Sequence, residues 1–127
     1  MLTKILKAKI HRAVVTQTEV NYHGSITIDA DLLAASGLLP NEAVIVADCE
    51  NGNRFETYII PGPRGGGGIC VNGAAARLTQ VGHHAIILAF VYAQPEELQS
   101  HLARVVILDA KNALVEKIDL PTVLRES

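Results

Sequence analysis

Tyr22-His23-Gly24-Ser25-Ile26-Thr27-Ile28-Asp29 moves from a turn dipeptide into a short run of β-branched residues. Such a run, bounded by turn residues, predicts a strand over Ser25 to Ile28. Asp29 or Asp31 can cap a short helix through Ala30-Asp31-Leu32-Leu33-Ala34-Ala35-Ser36, and Gly37 can end it in the left-handed conformation. Outward from this stretch the apolar segments stay short, rich in Val and Ile, and punctuated by turns. Candidate strands are Thr3 to Val15, Ala43 to Cys49, Phe55 to Ile60, Ile69 to Val71, Ala85 to Tyr92, Arg104 to Leu108 and Ala113 to Ile118. The protein is therefore expected to be mainly β. Several strands are near-continuous apolar runs, which fits a small closed barrel with other subunits against its outside.

The connections support this reading. Asn51-Gly52 between two strands favours a tight hairpin with positive φ at both central residues, and Lys111-Asn112 can close another. A helical turn is expected at Ala74-Ala75-Ala76-Arg77-Leu78. Pro61-Gly62-Pro63-Arg64 and the four glycines that follow call for a loop, either mobile or giving close backbone approach. The tail from 121 to 127 is expected to fray.

The 127 residues make one domain, long enough to fold on packing alone. Hydrophobic residues at 49% against 19% charged are apolar for a small monomer, so part of the surface is expected to be buried between subunits. A net charge of −2 without a basic block argues against nucleic acid. The short apolar runs, and lysines within the first residues, argue against a membrane span or a signal segment, so a cytoplasmic location is expected. Cys49 and Cys70 offer neither a disulfide framework nor zinc spacing and are read as reduced, mostly buried thiols. His83-His84 reads as an exposed turn, and no metal is assigned.

Phosphate-binding glycine motifs, zinc-hydrolase motifs and nucleophile elbows are lacking. What carries chemistry is Tyr22 to Asp29 together with Lys9-Ile10-His11-Arg12, Asn51-Gly52-Asn53-Arg54-Phe55-Glu56-Thr57-Tyr58 and Val71-Asn72-Gly73-Ala74-Ala75-Ala76. In order and spacing these blocks resemble the pyruvoyl-dependent aspartate 1-decarboxylases over about Met1 to Val91. Gly82-His83 stands where that family usually has Gly-Asp, and the match after Pro95 is loose.

The resemblance implies a small six-stranded double-psi β-barrel with short helices, spanning 1–127 and cleaving itself between Gly24 and Ser25 into a β chain 1–24 and an α chain 25–127. It implies a homotetramer with clefts between subunits as active sites, and cleavage that is either spontaneous or assisted by a maturation factor. Ser25 would become a covalent pyruvoyl cofactor that takes L-aspartate as a Schiff base and releases CO2 and β-alanine, for pantothenate and coenzyme A synthesis.

The family's roles fall on named residues here. Tyr58 matches the proton donor, and a phenol carries its proton at neutral pH. Arg54 and Lys9 match the cations that meet the substrate carboxylates. Gly73, Ala74 and Ala75 match a substrate-binding stretch, and Thr57 a residue of maturation as well as of the substrate site. His11, Tyr22 and Asn72 would support them.

Two other readings are weighed beside this one. The first is a swapped-hairpin DNA-binding regulator, loosely echoed by Gly24 to Val46, although that stretch holds only acids as its charged residues. The second is an unprocessed, inactive homologue.

Overall fold

A computed structural model describes residues 1–124 of the chain. The expected fold class is observed: the protein is mostly β with three short helices. The strands are β1 (Thr3–Val14), β2 (Gln17–Glu19), β3 (Ser25–Asp29), β4 (Ala43–Asp48), β5 (Arg54–Gly62), β6 (Ile69–Asn72), β7 (His84–Ala93), β8 (Leu102–Leu108) and β9 (Leu114–Pro121). The helices are α1 (Ala30–Ser36), a 3-10 helix over Gly73–Leu78, and α2 (Pro95–Leu98).

The strands form one row, β2-β6-β3-β5-β4-β7-β1-β8-β9. Its two outermost hydrogen-bonded strands do not pair with each other, so the sheet is not closed by a ladder. Chain continuity nevertheless curls it. β1 and β2 are separated only by Val15 and Thr16, and Thr16 anchors to Ile69 at the start of β6 through its amide (2.8 Å) and hydroxyl (3.0 Å). The segment 3–19 thus pairs with β7 early and with β6 late.

Six contiguous strands, β6-β3-β5-β4-β7-β1, match the expected barrel in number, with β2 on one side and β8-β9 on the other. β1 lies between an antiparallel partner, β7, and a parallel one, β8. β3 likewise lies between antiparallel β6 and parallel β5. This repeated arrangement fits a double-psi topology.

The core is built from small and β-branched side chains: Ile10, Ile26, Ile28, Val44, Val46, Ile59, Ile69, Val71, Ile87 and Val106 are all buried. Ile and Val lose little rotamer freedom on a pleated surface and interdigitate there. α1 closes one end with Leu32 and Leu33 inward. Of the two candidate caps, Asp29 is the one used, accepting from the Asp31 amide at 2.7 Å, and Gly37 ends the helix at φ 78° as expected.

Asp29 also settles the glycine loop. Its carboxylate accepts from the amides of Gly65 (3.1 Å) and Gly67 (2.8 Å), while the Gly67 carbonyl accepts from Asn112 Nδ2 at 2.7 Å. A β-carbon on Gly67 would lie 2.6 Å from the Lys111 carbonyl oxygen. Of the four glycines, Gly67 is the one that close backbone approach requires, while Gly65, Gly66 and Gly68 face open space.

Some expectations need correction. Gly52 has positive φ and Asn51 does not, because Asp48 accepts from the amides of Glu50 and Asn51 and shapes a longer connection. Cys49 is exposed and Cys70 half-buried, rather than both being mostly buried. Of the tail expected to fray, Pro121 completes β9, and 125–127 lie outside the described residues. Among the described residues no helix is long and apolar enough to cross a membrane.

Candidate active site

Ser25 begins β3 opposite Asn72, the last residue of β6. Alternation along the two strands puts Ser25 and Thr27, with Cys70 and Asn72, on one face, and Thr27 is the direct partner of Cys70. The four side chains are joined. Asn72 Nδ2 donates to Ser25 Oγ and to Thr27 Oγ1, each at 3.0 Å, and Cys70 Sγ donates to Asn72 Oδ1 at 3.1 Å. The Ser25 hydroxyl donates to the His23 carbonyl at 3.1 Å. Ser25 and Asn72 are buried, so each of these bonds acts in a low-dielectric setting.

The backbone is equally close. Gly73 has φ 80°, and a β-carbon there would stand 2.7 Å from Gly24 Cα and 2.9 Å from Gly24 N. The turn holding Tyr22, His23 and Gly24 therefore rests on the start of the 3-10 helix. The Tyr22 and His23 rings meet edge to face at 5.4 Å. Ala74 and Ala75 follow Gly73 in that helix.

β5 supplies Tyr58. Ile26 pairs with Ile59, so one step back along these parallel strands Ser25 and Tyr58 are neighbours on the outward face. Tyr58 is 39% exposed. Thr57 has the opposite parity, pairs with Val44, and takes no part in the hydrogen bonds on Ser25. Arg54 lies outward at the start of β5, exposed.

Lys9 is half-buried in β1, between Leu88 of β7 and Val105 of β8. β4 and β7 intervene between its strand and β5. The Lys and Arg ion pairs of the described residues are Lys7–Glu42, Arg64–Asp31 and Arg104–Asp119, which leaves Lys9 and Arg54 free to meet an anion.

His11 adds a further unmet demand: its Nδ1 is buried without a partner among the described residues. Burial, with Lys9 and Arg12 nearby, pushes its pKa below the ordinary value. Arg12 sits at φ 65°, where β1 bulges between Ile10 and Ala13. A non-glycine residue in that region is locally strained.

The structure thus brings together Tyr22, Gly24, Ser25, Tyr58, Asn72 and Gly73, with the two alanines next in the chain. Lys9, His11 and Arg54 make none of the hydrogen bonds that join that group among the described residues. The residues that sequence reading missed are Thr27 and Cys70. Period-two alternation from Ser25 and Asn72 was the signal that could have found them.

The other polar cluster is a clasp. Buried Asp48 accepts from Thr79 Oγ1 at 2.7 Å and from His83 Nδ1 at 2.8 Å, besides the Glu50 and Asn51 amides. Burial alone would raise the Asp48 carboxyl, but His83, Thr79 and the two amides together hold it below the ordinary range. His84 is engaged by Glu50 at 2.9 Å. His83 and His84 are thus half-buried links between the β4–β5 connection and β7, not the exposed turn expected. Asp48, Glu50 and His83 bring possible metal-ligand atoms within 4.8 Å of one another, yet those of Asp48 and His83 already serve this clasp.

Gly24 to Val46 forms β3, α1 and β4, and β3 pairs with β5 and β6 of its own chain, which removes the basis for a swapped hairpin. Comparison with known proteins agrees. The aspartate decarboxylase family model matches residues 1–115, well past the point where the resemblance read from the sequence loosens. The aspartate 1-decarboxylase of Caldicellulosiruptor saccharolyticus is 53% identical over 116 residues, 91% of each chain. That of Caldicellulosiruptor bescii is 50% identical over 119 residues, 94% of this chain and 93% of the relative. That of Staphylococcus aureus is 48% identical over 118 residues, 93% of each.

Proposed function

The chain belongs to the aspartate decarboxylase family, and on that premise we propose that it cleaves itself between Gly24 and Ser25 and then converts L-aspartate to β-alanine and CO2. It is a carboxy-lyase. The observation that carries the self-cleavage is the buried Ser25 hydroxyl, held by Asn72 while Gly73 packs against Gly24.

Cleavage begins when Ser25 Oγ adds to the Gly24 carbonyl carbon. The peptide C–N bond breaks, the hydroxyl proton passes to the departing amine, and an ester replaces the amide. Loss of the Cα proton at position 25 then expels the Gly24 carboxylate and leaves dehydroalanine. Water enters, ammonia leaves, and residue 25 ends as a ketone. Asn72 restrains Oγ during the first step, and Gly24 presents no side chain across the attacked carbonyl. These residues fit a pyruvoyl group at position 25, which supplies the electrophilic ketone that lets an amino acid shed its α-carboxylate.

The remaining residues then act on the substrate. Arg54 offers a planar fork for one carboxylate and Lys9 a point charge for another. Tyr58, neighbour of Ser25, donates the proton that replaces the lost carboxylate at carbon. Gly73, Ala74 and Ala75 leave room beside it. His11, Tyr22 and Thr57 support the site and its maturation.

The side chains of Lys9 and Arg54 have no ion-pair or hydrogen-bond partner among the described residues, and Tyr58, Phe90 and Tyr92 are exposed. Both facts support sites completed between subunits of a homotetramer. The product suits pantothenate and coenzyme A synthesis, and a cytoplasmic location suits that supply.

Denaturing intact-mass spectrometry tests the proposal. Chains 1–24 and 25–127, the larger headed by a pyruvoyl group, together with β-alanine formed from L-aspartate, are the expected result. One chain that stays whole on prolonged incubation rejects it.

A further inference from the structure

We propose that Cys70 is a positioning residue for self-cleavage, its thiol setting which end of the Asn72 side-chain amide faces Ser25. The inference rests on the self-cleavage reading and adds a residue to it. The two ends of an amide are nearly isosteric, so shape alone does not choose between them. Ser25 and Thr27 do not choose either, because a hydroxyl can donate or accept.

Cys70 breaks the tie. It stands directly across from Thr27 and on the same face as Asn72, with Sγ 3.1 Å from Oδ1. A thiol is a weak donor and a weak acceptor, so unlike a hydroxyl it offers the amide N–H no strong acceptor, while its own hydrogen meets the strong acceptor Oδ1. With Oδ1 turned to Cys70, both amide hydrogens point at Ser25 Oγ and Thr27 Oγ1. The Ser25 hydrogen is then released to the His23 carbonyl.

In the flipped amide, Oδ1 would face Ser25 and draw that hydrogen toward itself. The hydroxyl would then point at Asn72, and Oγ would lose the donor that restrains it. The thiol is also kept in its donating form: burial, aided by the charge of Glu19, raises its pKa.

The test follows cleavage of freshly made full-length precursor by denaturing intact-mass spectrometry, for the natural chain and for Cys70→Ala, Cys70→Val and Cys70→Ser. Loss of one hydrogen-bond donor should slow cleavage about tenfold in the Ala and Val variants. Ser keeps a donor at this position but is also a good acceptor, so its rate should fall between those of the Ala variant and the natural chain. Melting temperatures should not track the rates.

In an Asn72→Ala background, Cys70→Ala should add nothing further, since the amide it orients is gone. Ala and Val variants that cleave as fast as the natural chain overturn the role, as does a Ser variant as slow as Ala, or full additivity with Asn72→Ala. If the natural chain never cleaves, the self-cleavage reading itself fails, and the role falls with it.

Discussion

Gly73 and Gly24 touch through their backbones, so closely that a β-carbon on Gly73 would lie 2.7 Å from Gly24 Cα. Gly73 also holds φ 80°, a conformation that residues with side chains rarely adopt. Gly73→Ala is therefore expected to displace the 22–24 turn from Ser25. Thermal unfolding should show a loss of about 1 to 3 kcal/mol, and intact-mass spectrometry should show cleavage slowed well beyond that of other small-residue changes in the chain.

Ser25→Ala removes the attacking oxygen and leaves the β3–β6 ladder in place. The variant should fold, remain one chain of 127 residues, and form no β-alanine. Circular dichroism, mass and product assay together check this. Product formed by a preparation free of other decarboxylases would disprove the mechanism.

Tyr58 borders Ser25 but makes none of the hydrogen bonds that hold it. Tyr58→Phe should therefore still be cut between Gly24 and Ser25, while turnover drops by about 100-fold or more, the usual effect of removing a general acid. Failure to cleave would move Tyr58 into the maturation step.

Asp29 and Asp48 give the fold a defined acid limit. For Asp29, burial alone would raise the carboxyl, but the amides of Asp31, Gly67 and Gly65, with Arg64, outweigh it. Both carboxyls thus lie below their ordinary value of 3.8 in the folded state. A depressed carboxyl stabilises the fold fully above its unfolded value, and that stability is lost as pH falls through the folded one. Urea midpoints of Ser25→Ala, which is expected to stay in one piece, should hold steady toward neutral pH and fall below about pH 4. Asp48→Asn should lower the midpoint at neutral pH and flatten the acid limb.

Much of this was legible in the sequence. β-branched runs between turn residues marked eight of the strands, and Asp29 with Gly37 marked α1. β2 was not legible because Gln17-Thr18-Glu19 has no apolar face, and only pairing with β6 makes it a strand. α2 carried a signal that went unread: Gln94 and Glu97 form a capping box around Pro95. Ser25, Asn72 and Gly73 were found through motif resemblance, but their contact depends on the β3–β6 register. The His83-to-Asp48 link joins residues far apart in sequence and had no local mark.

The segment carrying β1 and β2 lies wholly upstream of the Gly24–Ser25 bond, yet it is gripped by β7, β8 and β6. After the cut, residues 1–24 would be a separate peptide woven through the rest, retained without any covalent tie. Folding before the cut is a first-order event of one molecule. Rebuilding the matured protein after denaturation would instead require two chains to find each other, at a rate set by their concentration. The cut would thus turn the barrel into a structure that is easy to keep and slow to remake, with a lifetime governed by its unfolding rate.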